Sequence, residues 1–288
     1  MTDKITVKAP AKINLTLHIT GKRPDGYHTL KSVMQSISLC DTVTVVLNGK
    51  AGSIEISCTE PSIPCDSRNI AYKAAEVFYD ETGIPNNGIN IHIEKNIPSE
   101  AGLGGGSSDG AAVFYALNII HGKPLSEDEL CKISARVGAD IPFCIKGGTV
   151  LCEGIGEIMT PLKPLPDCYI VIGKGTEGIS TKEAYAEIDR RTESLNCDFD
   201  VSIFDHGIEK IASHCSNAFE KVSPLDEVRR IKGLMIGSGA LCSVMSGSGS
   251  AVYGIFRDKE TAEEICTILS EDGYFSALCT PKKTGVTV

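Results

Sequence analysis

Between residues 5 and 19 apolar and polar side chains alternate: Ile13, Leu15, Leu17 and Ile19 share one parity, and Lys12, Asn14, Thr16 and His18 the other. A period of two predicts a half-buried β-strand with one polar face. The turn formers from Gly21 to Gly26 end that strand and leave Tyr27 and His28 just beyond it. Val43, Val45 and Leu47 alternate again, and Gly49 to Gly52 predict a hairpin turn into Ile54 and Ile56. Ile89, Ile91 and Ile93 predict another strand, while Asn69 to Tyr79 and Ala111 to Ile120 predict helices. Ser126 and Glu129 have the spacing of a capping box, so a helix is expected from there to about Gly138.

The three prolines of Pro161-Leu-Lys-Pro-Leu-Pro166 cannot lie inside a helix or a central strand, so the domain boundary is expected there, dividing 1–160 from 161–288. Beyond it the pattern predicts a strand from Tyr169 to Ile172 and a helix opened by the capping pair Ser180 and Glu183. Helices near 201–213 and 224–231 follow, then strand, tight turn, strand, helix and strand from Leu241 to Cys279. The class is α+β, with a smaller second layer packed on the first domain, and 288 residues suit two domains.

Composition narrows the partners. A net charge of -9 without a run of Lys or Arg argues against nucleic acid or an anionic membrane as the main partner. No apolar stretch reaches transmembrane length and the N-terminus has no apolar signal core, so a cytoplasmic protein is expected. The twelve cysteines are scattered singly, without a CxxC pair, and predict buried free thiols rather than disulfides or a metal site.

Four segments carry candidate chemistry. Pro98, Ser99, Glu100, Ala101, Gly102, Leu103, Gly104, Gly105, Gly106, Ser107 and Ser108 lie between a predicted strand and a predicted helix. Four glycines in five positions let backbone N–H groups converge on an anion, and the helix that follows adds its positive end. Ser107 and Ser108 add hydroxyls that suit a phosphate or a magnesium ion. The run fits neither the Walker form, which needs a lysine, nor the dinucleotide form, whose third glycine is here Ser107. Lys12, with Asn14 on the same strand face, and Asp140, in Gly138-Ala-Asp-Ile-Pro142, are each ordinary alone. Pro142 biases the preceding backbone away from helix, so Asp140 is expected in a turn. Ser246, Gly247, Ser248 and Gly249 form a second small-residue turn between two strands. Together these supply what phosphoryl transfer to an alcohol needs: donors around the phosphates, a cation, and a carboxylate for the hydroxyl proton.

Lys12 in the early strand, the PxxxGLGGGSS run and the late SGSGSA turn together resemble the GHMP kinase superfamily. The resemblance implies a ribosomal-protein-like N-terminal βαβ domain, a ferredoxin-like C-terminal domain, and ATP with Mg2+ as cofactors, the metal ligands left unassigned. Ala9-Pro-Ala-Lys12-Ile-Asn14, Arg23-Pro-Asp-Gly-Tyr27-His28 and Gly138-Ala-Asp140-Ile-Pro142 look like the branch that phosphorylates the 2-hydroxyl of a cytidylated sugar alcohol in non-mevalonate isoprenoid synthesis. It implies Lys12 and Asp140 as the catalytic pair. Asn14, Tyr27, His28, Tyr185 and the 246–249 turn are implied on the substrate side, with the cytosine against Tyr27, His28 and Tyr185. A homoserine or mevalonate kinase and a noncatalytic RNA-binding module are the alternatives, and the oligomeric state, monomer or homodimer, is left open.

Overall fold

The computed structural model describes residues 3–178, 180–190, 199–222 and 225–288. The first half runs β1 (Lys4–Lys22), β2 (His28–Leu47), β3 (Ile54–Cys58), α1 (Ile70–Thr82), β4 (Ile89–Glu94), α2 (Gly105–Ile120), α3 (Glu127–Ser134), α4 (Ile141–Lys146), β5 (Thr149–Gly154) and β6 (Ile158–Pro161). The second runs β7 (Tyr169–Lys174), α5 (Thr181–Arg190), α6 (Ile208–Ala212), β8 (Ser216–Asn217), α7 (Asp226–Gly237), β9 (Cys242–Met245), β10 (Val252–Phe256), α8 (Lys259–Glu271) and β11 (Phe275–Cys279). Strand residues 4–161 form one sheet with β8, and β11-β7-β10-β9 form a four-stranded antiparallel sheet. That second order, with helices between its first and second and its third and fourth strands, is ferredoxin-like.

Both predicted capping boxes form: Ser126 and Glu129 at the start of α3, Ser180 and Glu183 at the start of α5. Asn69 caps α1 by accepting from the Ala71 N–H. A short 3-10 turn (Val201–Asp205) and α6 stand where one helix over 201–213 is expected; of the helix expected over 224–231, residue 224 lies outside the described residues and α7 starts at Asp226.

The turn after β2 exists, with Gly49 and Gly52 at positive φ, but it does not make a hairpin. β4 inserts between β2 and β3, antiparallel to the first and parallel to the second. The parallel pair requires a crossover, which α1 supplies.

β1 is not half-buried as its alternation predicts: Lys12, Asn14, Thr16 and His18 are buried as well. Register breaks at Pro10/Lys12 and Asn14/Thr16 bulge the strand and re-aim its side chains. Ile5, Val7 and Ala9 pack with Phe78 and Phe114 under α1 and α2, whereas Ala11, Ile13 and Leu15 pack with Ile170, Ile172 and Tyr253 of the second sheet. Each fully buried side chain of that size contributes roughly 1.5–3 kcal/mol. One strand therefore spans two cores, and its polar face is roofed where they meet.

Eleven cysteines are described and all are free; six are buried, four half-buried and Cys65 exposed, while Cys197 lies outside the described residues. Burial pushes the Cys131 thiol up to about 11 and the Cys152 thiol to about 12, which suppresses the reactive thiolate.

Candidate active site

The glycine-serine run is half loop and half helix. Gly104, at φ +71°, is the N-cap of α2, so the helix begins at Gly105 and not near Ala111. The first-turn amides of Gly105, Gly106 and Ser107 have no acceptor within the helix and carry its positive end. The turn is pinned to β1 from below. Lys12 N–H donates to the Leu103 carbonyl at 2.9 Å, and the Ser108 hydroxyl donates to the Pro10 carbonyl at 2.7 Å. Ser108 is fully buried, so of the two adjacent serines it is Ser107 that lies on the cavity wall.

The late turn closes over the same place. A Cβ on Gly102 would fall 2.0 Å from the Ser246 carbonyl oxygen, which explains glycine there beyond its φ of +71°. Ser246 accepts from the Asn14 N–H and donates its hydroxyl to the Gly102 carbonyl, so it joins three segments and is itself fully buried. Asn14 accepts from the Lys12 ammonium at 2.8 Å and from the Gly247 N–H at 3.0 Å, and donates to Ser32.

Lys12 Nζ lies 3.7 Å from Asp140 Oδ2, with the lysine buried and the aspartate a third exposed. At an effective dielectric near that of a protein surface such a pair interacts by roughly 4 kcal/mol, enough to orient the two side chains toward each other. Asp140 lies in a turn, as expected, and is the N-cap of α4 in right-handed helical backbone, but Ile141 before Pro142 is already helical, with the proline in the helix's first turn. Proline is tolerated there because the missing N–H has no helical acceptor. The C-terminal tail holds the other end of α4, with Gly285 N–H on Lys146 and Val286 N–H on Cys144.

A cavity of about 1110 Å³ takes in Lys12, Asn14, Tyr27, His28, Asp140, Tyr185, Pro98 to Ser107, and Gly247 to Gly249. Of the residues singled out in the sequence, Ser108 and Ser246 lie behind its wall. At one end the His28 ring lies flat on Tyr185, 4.8 Å between centroids and 16° between planes, and Phe219 meets Tyr185 edge-on. Burial pushes the Tyr185 phenol up to about 12. Tyr27 stays apart and is 63% exposed.

Several neighbours are missed by the sequence reading. Asp189 accepts from His28 Nε2 at 2.8 Å and from Lys22 at 2.6 Å, and these partners hold its carboxyl below the usual range. Asn217 donates to the Met245 and Gly247 carbonyls and fixes the late turn. Lys95, Asp41 and Asp109 form a buried ion cluster under the first turn of α2. Asp109 adjoins the glycine-serine run, which is a local signal; Asp189 and Asn217 have none.

Family profiles for the GHMP kinases N terminal domain and the GHMP kinases C terminal match residues 69–148 and 209–274. A Clostridium tetani protein named 4-diphosphocytidyl-2-C-methyl-D-erythritol kinase is 45% identical over 263 residues, 89% of this chain and 92% of its own. One of the same name from Caldicellulosiruptor saccharolyticus is 40% identical over 287 residues, 94% of this chain and 98% of its own. A crystal structure of 4-(cytidine 5'-diphospho)-2C-methyl-D-erythritol kinase superposes with a TM-score of 0.79 at 30% identity, covering 96% of this chain and 99% of that one. The mevalonate kinase of L. major shares the fold, with a TM-score of 0.77 at 15% identity and coverage of 99% and 98%. The chain belongs to the GHMP kinases, in the family of the 4-diphosphocytidyl-2-C-methyl-D-erythritol kinases.

Proposed function

We infer that this protein is an ATP-dependent kinase that phosphorylates the 2-hydroxyl of 4-diphosphocytidyl-2-C-methyl-D-erythritol. The observation that carries the reading is the placement of the Lys12–Asp140 pair in one cavity with the glycine-serine turn on one side and the His28–Tyr185 stack on the other. The first-turn amides of α2 and the Ser107 hydroxyl hold the triphosphate. Asp140 accepts or orients the proton of the substrate hydroxyl, and Lys12, held by Asn14, neutralises charge on the transferred group. His28, Tyr185 and the exposed Tyr27 receive the cytosine, whose flat face suits aromatic rings.

Because His28 already covers one face of Tyr185, the base takes the other side of His28 or separates the two rings. Residues 1–160 form the ATP-binding and catalytic domain in this reading, and 161–288 the domain that completes the substrate site.

Among the described residues no three acidic, histidine or cysteine side chains cluster as a metal centre. That donor set does not suit a resident metal, but it suits Mg2+ carried by ATP, which keeps phosphate oxygens and waters as ligands and needs one or two carboxylates. Glu100, exposed on the rim of the turn, and Asp140 are carboxylates of the cavity lining that would hold it, and the ion would supply charge neutralisation on the phosphates. The test is ADP formation from ATP with cytidylated and with non-cytidylated methylerythritol. Turnover is expected with the first and at least ~10²-fold lower kcat/KM with the second, the cost of losing a stacked, hydrogen-bonded base. Equal turnover with both would remove the cytosine subsite from the reading.

A further inference from the structure

Beneath the first turn of α2 lies a group that the reaction just described does not use. Asp109 is in the second turn of that helix, and its Oδ2 accepts from Lys95 Nζ at 2.8 Å. The same ammonium donates to Asp41 Oδ2 at 2.5 Å, and Asp41 Oδ1 accepts from the N–H groups of Asn96 and Ile97. All three side chains are buried: 7% of Lys95, 6% of Asp109 and none of Asp41 is exposed. Asp109 Oδ1 has no hydrogen-bond partner, and among the described residues no other buried side-chain nitrogen or oxygen lacks one. Lys95 and Asp109 both line the cavity, and a Cβ on Gly105 would come 3.2 Å from Lys95 Nζ.

One buried ammonium facing two buried carboxylates leaves an excess negative charge if both are ionised, and an unsatisfied carboxylate oxygen in such a place is costly. The other titratable groups facing Asp109 do not relieve it. They are the Cys58 thiol from β3 and the Cys144 thiol from α4, both pushed up by burial and neutral. A triphosphate on the first-turn amides would add negative charge one helical turn away.

We propose that Asp109 is a positioning residue for ATP, whose carboxyl group takes up a proton as the triphosphate settles on the turn, so that Lys95 and the first turn of α2 stay in place. The inference rests on the reading of that turn as the nucleotide cradle. Burial, followed by the opposing effects of Lys95 and Asp41, brings the Asp109 carboxyl to about 7, so the proton is available at working pH. The sign follows from the charges. An anion nearby favours the neutral acid, so ATP binds more tightly at low pH and more weakly as pH rises past 7.

The experiment compares the KM for ATP of the wild-type enzyme and Asp109→Asn at pH 6.5 and 8.5 in the same buffers, which cancels the titration of ATP itself. If ATP raises the proton affinity of Asp109 tenfold, the wild-type KM increases about sixfold between the two pH values. In Asp109→Asn, which mimics the protonated acid, that ratio falls to about one, while the ratio of kcat values stays as in the wild type. Coincident KM curves for the two proteins overturn the proposal. A variant that fails to fold leaves a second measurement on the wild type: Mg·ADP binding at pH 7.5, by calorimetry in two buffers of different ionisation heat. Uptake of about half a proton is expected, and no uptake overturns the proposal. Failure of the kinase reading is a separate result, an enzyme that makes no ADP with the cytidylated alcohol.

Discussion

At the scale of single residues the site depends on a few polar groups that hold one another in place. Lys12 is held by Asn14 and faces Asp140, and Asn14 has spent its amide on Lys12, Gly247 and Ser32. Asn14 therefore orients Lys12, and it also lines the cavity in which the substrate contact expected from the sequence would be made. Lys12→Ala and Asp140→Asn should each lower kcat by ~10² or more with the fold retained, as for removed electrostatic or acid-base groups. Steady-state kinetics with far-ultraviolet circular dichroism checks this, and near-wild-type kcat in either folded variant refutes the assigned role.

Among the elements, α4 shows how a six-residue helix can be made rigid. Too short to persist alone, it is capped at one end by the chain around Asp140 and clamped at the other by the C-terminal tail. A Cβ on Gly285 would lie 2.2 Å from the Cys144 carbonyl oxygen and 2.4 Å from that of Ile145, so no side chain fits between tail and helix. Gly285→Val should cost about 1–3 kcal/mol and lower Tm by roughly 3–8 °C. It should also lower kcat more than it raises the KM for ATP, because the tail is bonded to the helix that carries Asp140 and not to α2. A loss confined to the KM for ATP would show that α4 does not depend on the tail.

Over the whole molecule the cavity lies where the two sheets meet, and backbone contacts cross that boundary directly. Ala251 N–H donates to the Ala101 carbonyl at 3.1 Å, and Gly102 and Gly247 approach so closely that a Cβ on Gly247 would be 2.9 Å from the Gly102 carbonyl oxygen. Gly102→Ala is expected to separate the two turns, since its φ of +71° disfavours a side chain and the Ser246 carbonyl blocks one. The KM for ATP should rise about tenfold or more, and kcat with the cytidylated alcohol should fall as well, because both turns line one cavity. A change in either parameter alone would mean that the halves act independently.

Most elements were legible from short-range pattern. Alternation placed β1 and β4, the local pattern placed the 169–172 strand, and the capping pairs placed the starts of α3 and α5, because these signals act within a few residues. The pairing of β4 between β2 and β3 was not legible, since strand order is a long-range choice that Gly49 and Gly52 do not encode. Nor was the burial of the polar face of β1, which follows from bulges and from a second sheet arriving more than 150 residues later in the chain.

By itself the sequence determined the element types, the glycine-serine turn and the residues from which a kinase site can be built, for all of these are written in side-chain size, period and local hydrogen bonding. Only the tertiary structure decided which of those residues meet. It set Lys12 against Asp140, laid His28 on Tyr185, turned Ser108 and Ser246 inward, and gathered Lys95, Asp41 and Asp109 under α2. Such meetings depend on where distant segments pack, and no local pattern specifies that.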